Sequence, residues 1–204
     1  MYIPTAFAES DTTKLHDFIE QHSFGLLVSQ VDDAPFATHL PFLLDRTGNT
    51  LTCHVARANP HWQHVAGQSV LAIFSGPHVY VSPTWYQSEQ VVPTWNYAAV
   101  HVYGRAQVVE DEDALRKIVQ EMVRVYEQSM PKPWSFDGST TYAKRMLAQI
   151  VGIRITIERI EGKFKLNQNQ PEERRYKVAN ALERRSDENS QAIAELMRAM
   201  LAKD

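Results

Sequence analysis

Residues 53–65, CHVARANPHWQHV, hold the residue types that gather an anion within a few positions of one another. Asn59 is a favoured helix N-cap and Pro60 a favoured first helical residue, so the spacing predicts a helix starting there and carrying His61, Trp62 and Val65. A helix N-terminus leaves backbone N–H groups without intrahelical partners, and Arg57 beside it adds a charged fork of donors. Together they suit a phosphate. Capped helices with a neighbouring arginine also occur without any ligand, so both readings stay open on this stretch alone. His61 and His64 can share a helix face, but no cysteine or acid is spaced to complete a zinc site, and no metal is expected.

Two other stretches are dense in hydrogen-bonding groups. SPTWYQSEQVVPTWNY (residues 82–97) contains two Pro-Thr-Trp triplets and joins two strand-like runs. Loops on a rigid sheet often carry binding groups; the plainer reading is a turn whose tryptophans plug the end of a barrel. GKFKLNQNQPEER (162–174) is a donor-rich polar segment that follows an isoleucine strand, and loops are commonly polar. Nothing in the chain matches a Walker loop, GxGxxG, GxSxG or HExxH.

These groups need a scaffold, and the pattern of the chain is that of closely spaced strands joined by turns. GLLVSQV, PFATHLPFLLD, NTLTCHVA and SVLAIFSG read as strands, with a hairpin loop around Thr47, Gly48 and Asn49. HVYVSPTWY follows, then the long run VVPTWNYAAVHVYGRAQVV (91–109). Split by its period of two, this run has a small aliphatic face of Asn96, Ala98, Val100, Val102, Gly104, Ala106 and Val108. Its other face, with Trp95, Tyr97, His101, Tyr103 and Arg105, is aromatic with polar tips. The first suits a barrel interior; the second suits an interface or a planar ligand, or a sheet face covered by the C-terminal helices. Helices are expected at DTTKLHDFIEQH, at EDEDALRKIVQEMVRVYEQ with its stripe of Leu115, Ile118, Val119, Met122 and Val125, at STTYAKRMLAQ, and from Pro171 onward. GIRITIERIEG alternates Ile153, Ile155 and Ile157 against Arg154, Thr156 and Glu158, a half-exposed strand. The expectation is one mainly β domain with peripheral helices (α+β) over 1–204: a barrel core over about 24–161 and a helical extension over about 171–204.

Composition narrows the function classes. The 204 residues carry a formal net charge of −3, which gives no overall attraction to nucleic acid or anionic lipid. The basic residues of ERRYKVANALERRS are interleaved with acids, as on a solvated helix face. One cysteine, Cys53, excludes an internal disulfide. No run approaches the roughly 20 apolar residues that span a bilayer, and the first residues lack a signal-peptide pattern. A soluble cytoplasmic protein is expected.

Five motifs occur in order: THLPFLL, HVARANPHW, YVSPTWY, VPTWNYAAVHVYG and KFKLNQNQ. Across nearly the whole chain they resemble the PaiB-like family of FMN-binding negative transcriptional regulators. The resemblance implies a split β-barrel of the pyridoxamine-phosphate-oxidase-like type, a homodimer with FMN at the subunit interface, and repression of degradative-enzyme and sporulation genes. DNA is a partner by resemblance only, since charge does not support it. The resemblance points to Arg57 and Asn59, with His54 just before them, for the FMN phosphate and its surroundings. It points to Thr94, Trp95 and Asn96 for the ribityl chain or the isoalloxazine ring, and to Lys165, Gln168 and Asn169 for the partner subunit's flavin. Where the family has KLSQNR or KLSQNK, this chain reads KLNQNQ; Asn167 and Gln170 remove a hydroxyl and a positive charge, which bears on FMN retention. The barrel class leaves an FMN-dependent oxidoreductase as an alternative, and a haem-binding split barrel as a more distant one.

Overall fold

A computed structural model of the chain describes residues 1–202. Eight strands form one sheet: β1 (Ala8–Glu9), β2 (Phe24–Val31), β3 (Ala34–Pro41), β4 (Leu43–Asp45), β5 (Thr50–Ala56), β6 (Ser69–Val81), β7 (Thr94–Val109) and β8 (Ile150–Lys165). Their order is β3-β2-β6-β7-β8-β5-β4, with β1 on β8. The pairs β2–β3, β2–β6, β4–β5, β5–β8 and β1–β8 are antiparallel. Six helices accompany them: α1 (Thr12–Gln21), α2 (His61–Val65), α3 (Glu112–Glu127), α4 (Thr141–Leu147), α5 (Glu172–Glu183) and α6 (Glu188–Leu201). No helix among the described residues is long and apolar enough to cross a membrane.

Local chemistry accounts for several element ends. Asp111, Thr140 and Asp187 cap α3, α4 and α6 by accepting from the N–H groups of Ala114, Ala143 and Ser190. The hairpin between β4 and β5 turns on Asp45, whose Oδ1 accepts from the N–H of Thr47 and Gly48, and Asn49 takes the left-handed conformation at φ 50°.

Three strand boundaries differ from the sequence reading. PFATHLPFLLD is broken at Phe42, which turns its ring inward onto Phe74 at 5.4 Å and gives its N–H to Ser23. SVLAIFSG and HVYV are one strand, β6, that passes through Gly76 and Pro77. Burial along it slips by one position there, from Val70, Ala72 and Phe74 to Val79 and Val81. An extra residue in a strand reverses which face its side chains take, so the Gly-Pro signal marks an irregularity and not an end. Likewise β8 runs on through Lys163 to Lys165, segments that read as loop.

The chain divides into two compact units. The first contains 1–18, 75–101 and 161–204; its core joins Val79, Val81, Tyr86 and Leu166 to Val178, Leu182, Ile193 and Met197 of α5 and α6. The second contains 19–74 and 102–160, with Leu27, Leu51, Val55, Ala72, Phe74, Val102, Ile153 and Ile155 buried. The alternation read for 91–109 holds: Asn96, Ala98, Val100, Val102, Gly104 and Ala106 are buried, and the intervening residues are half-buried or exposed.

Candidate functional site

In the second unit, Arg57 leaves β5 and turns its guanidinium onto the end of α4. Its Nε donates to the carbonyl of Ala148 at 3.0 Å and its Nη2 to that of Ile150 at 3.2 Å, while Nη1 reaches Glu110 Oε1 at 2.7 Å. The Trp62 ring lies 5.6 Å beneath the guanidinium, and Trp62 Nε1 donates to the Arg57 carbonyl. A cation on the carbonyl that closes a helix is a cap, and Arg57 caps α4 at Ala148 while its bond to Ile150 ties it to the first residue of β8. A phosphate at Nη1 would take the place of the exposed Glu110 carboxylate.

Asn59 points elsewhere. Its Oδ1 accepts from the N–H of His61 at 3.0 Å and its Nδ2 donates to Thr38 Oγ1 at 3.3 Å. The expected helix does start here, one residue later than read, and is five residues long. His61 is fully buried, with Nε2 2.8 Å from Ser29 Oγ and Nδ1 2.8 Å from Thr38 Oγ1, and its ring meets Phe36 edge-on. Burial, helped by nearby His64, pushes its pKa down. His54 lies against α3, with Nδ1 3.2 Å from Met122 Sδ, and burial lowers its pKa too. The three candidates of this unit therefore take three separate sets of partners.

In the first unit the candidates converge. Lys165 Nζ donates to Thr94 Oγ1 and to the Trp95 carbonyl at 2.7 Å. Burial, and secondarily Lys163, lower its pKa. A cavity of about 110 Å³ is lined by Lys165, Thr94, Tyr86, Asn167, Asn169 and Gln170 together with Val92 and Pro93. Three of the five motifs thus meet at one place. Asn167 takes the left-handed conformation at φ 65°, is only 3% exposed, and donates from Nδ2 to Tyr86 Oη at 2.6 Å. Its Oδ1 is buried with no hydrogen-bond partner. An unpaired buried acceptor costs about 1–3 kcal/mol, a cost that a ligand's donor removes. Gln168, by contrast, clamps its own turn, accepting from the N–H of Leu166 at 2.6 Å and donating to the Phe164 carbonyl. The charge missing at Gln170 has a substitute nearby: Arg174 donates to Gln170 Oε1 at 3.1 Å and to Ser88 Oγ at 2.7 Å.

Trp95 and Asn96 take opposite faces of β7. Trp95 is 53% exposed and groups with His78 and Tyr80, at ring-centroid distances of 6.2 and 6.0 Å. Asn96 is fully buried, with Nδ2 3.5 Å from Met197 Sδ of α6 and Oδ1 unpaired. At this end of β7 the C-terminal helix lies on the face read as interior, and the aromatic face stays open. The sequence reading missed Tyr86 and His78 as members of these clusters; the first Pro-Thr-Trp triplet, which Tyr86 follows, was the available signal for the first, and nothing local marks the second.

The donor set fits a flavin's polar edge, which offers acceptors and an N–H donor. Donors come from Lys165 and the Tyr86 hydroxyl, an open acceptor from Asn167 Oδ1, and an aromatic surface from Trp95 and Tyr80. The cavity itself has room only for part of such a ligand.

Comparison with known proteins agrees. Residues 1–159 match the family model described as "Putative FMN-binding domain". The chain is 37% identical over 207 residues to "Protease synthase and sporulation protein PAI 2" of Bacillus subtilis (strain 168), covering 100% of this chain and 99% of that one. Among solved structures it resembles the flavocytochrome Anf3 from Azotobacter vinelandii, with a TM-score of 0.62 and 14% identity over 78% of this chain and 69% of that one. It also resembles the FAD and heme binding protein from Mycobacterium smegmatis, with a TM-score of 0.60 and 17% identity over 78% and 73%. At such identities the likeness concerns the fold, the mainly β split-barrel class with peripheral helices that the motifs implied.

Proposed function

This chain belongs to the FMN-binding domain family and its cofactor is FMN; from that premise we propose that it is a cytoplasmic regulatory flavoprotein, a negative regulator of degradative-enzyme or sporulation-type genes. The observation that carries this reading is the end-to-end 37% identity to a protein named for protease synthesis and sporulation. That similarity runs through residues 160–204, beyond the family model's match, and so includes Lys165, Asn167, Gln168, Asn169 and Gln170.

In this proposal Thr94, Lys165 and Asn167 hold the polar edge of the flavin and Trp95 lies against its ring. Asn169 lines the same cavity and Gln168 fixes the turn that carries it, while Arg57, with Asn59 and His54 nearby in sequence, is a candidate for a flavin phosphate by family resemblance. FMN supplies one- and two-electron redox chemistry through its isoalloxazine ring. The chain forms a homodimer that places FMN at the interface, and the exposed His78–Tyr80–Trp95 group supports a buried role for that face in the assembly. Direct DNA binding draws no support from charge: Lys177 pairs with Glu173 at 2.6 Å and Arg185 with Asp187 at 2.9 Å. In this proposal the regulatory output passes through a protein partner or through metabolism, with DNA a partner by resemblance alone.

NAD(P)H oxidation by the FMN-loaded protein is the test. A regulator gives no turnover beyond that of free FMN, whereas saturable turnover would replace this reading with a flavin oxidoreductase.

A further inference from the structure

The second unit holds a cleft of about 670 Å³ that the flavin reading does not use. Its floor is one row of the sheet's face, in which Leu43 of β4, Thr52 of β5 and Arg154 of β8 stand side by side in register. Its wall is the Lys117–Val125 side of α3. The next row explains why the cleft opens where it does. At Gly152 the helix presses onto the strand: a Cβ there would lie 3.0 Å from Ile118 Cδ1 and 3.2 Å from Leu115 Cδ2. Two residues on, at Arg154, the strand carries a long side chain and the space is free. One end is fixed by the fork of Arg46 on Glu20, at 2.8 and 2.7 Å, and the Tyr126 hydroxyl lies 3.0 Å from Ser23 Oγ.

Charge at this cleft is not balanced. Its three carboxylates are engaged: Glu20 by Arg46, Glu121 by Arg124 at 2.8 and 2.5 Å, and Asp45 by the N–H groups of its own turn. Of its four cations, Lys117 and Arg154 have no ion-pair partner among the described residues. Leu43, Ile118 and Val125 supply an apolar surface between these charges. A volume within the roughly 300–1,000 Å³ of ligand sites, an apolar lining and two unmatched cations define a ligand type. We propose that this cleft binds a mid-sized organic anion, its hydrocarbon body on Leu43, Ile118 and Val125 and its carboxylate drawn by Lys117 and Arg154.

Calorimetric titration of the FMN-loaded full chain with octanoate tests this at low ionic strength. Octanoate binds, octan-1-ol binds about tenfold more weakly, and Lys117→Glu or Arg154→Glu each weakens octanoate about tenfold, as loss of a charge-assisted contact requires. Val125→Trp fills the space and abolishes binding without changing either cation or the FMN content. Absence of octanoate binding, equal affinity for octanol, or undiminished binding in the folded double charge reversal would each overturn the proposal. So would displacement of octanoate by FMN from the flavin-free chain, because the cleft would then belong to the flavin site.

Discussion

The polar cluster around Arg57 and His61 and the one around Lys165 and Asn167 are built from similar residue types but stand in different states of satisfaction. In the first, each group faces a partner: Arg57 closes two carbonyls and a carboxylate, and both ring nitrogens of His61 face hydroxyls. In the second, Asn167 Oδ1 is buried and unpaired, and Asn96 Oδ1 on nearby β7 is likewise unpaired. Buried polar networks that are fully satisfied rigidify a fold, whereas a vacancy in one is a cost that persists for a reason. In the proposed reading the first cluster has a mainly structural task and the second a mainly ligand-holding one.

Mutation of each cluster should separate stability from affinity. His61→Ala empties a fully buried site and strands Ser29 and Thr38, so it should cost about 3 kcal/mol, read as a lower denaturant midpoint. Arg57→Ala should cost about 1–2 kcal/mol, chiefly from the carbonyls of Ala148 and Ile150, since the exposed pair with Glu110 contributes little. The same variant should lower FMN affinity severalfold if Nη1 serves the phosphate; unchanged affinity in a folded protein would remove Arg57 from the binding site and leave it as a cap. Asn167→Gly should behave the opposite way. Glycine accepts a positive φ freely and the unpaired Oδ1 leaves with the side chain, which offsets the bond lost to Tyr86, so the unfolding free energy should fall by about 1 kcal/mol or less. FMN affinity should fall about tenfold, the equivalent of one good hydrogen bond. A large loss of stability with intact affinity would reverse the contrast.

Acid is the mildest probe. His54 and His61 have folded-state pKa values below histidine's ordinary 6.5, so below that pH the unfolded chain binds more protons than the folded one. Stability is therefore full above about pH 6.5 and is lost as the pH falls beneath it. Melting temperatures at pH 7.5 and 5.5 should show the drop, and His61→Phe should reduce it.

Much of this was legible in the residues. The two faces of β7 follow from alternation, the helices after Pro171 from their helical spacing, and the hairpin around Thr47, Gly48 and Asn49 from its turn residues. What side-chain types could not show is which backbone carbonyls they meet. Arg57 was readable as a donor fork, but its acceptors are main-chain atoms 91 and 93 positions away, which no residue type marks. The continuity of β6 through Gly76–Pro77 was hidden because a turn signal also serves a strand irregularity. Asn167 looked like a departure from a motif; only its contact with Tyr86, 81 residues distant, shows it as the wall of a cavity.

The central claim is that this chain is a flavin holder whose grip centres on Thr94, Lys165 and Asn167. Fluorescence titration of flavin-free wild type, Asn167→Gly and Arg57→Ala with FMN tests it most directly. The account predicts saturable quenching at one FMN per chain, with the Asn167 variant the weaker of the two mutants. Failure of the wild type to take up FMN, or equal affinity of wild type and Asn167→Gly, would contradict it.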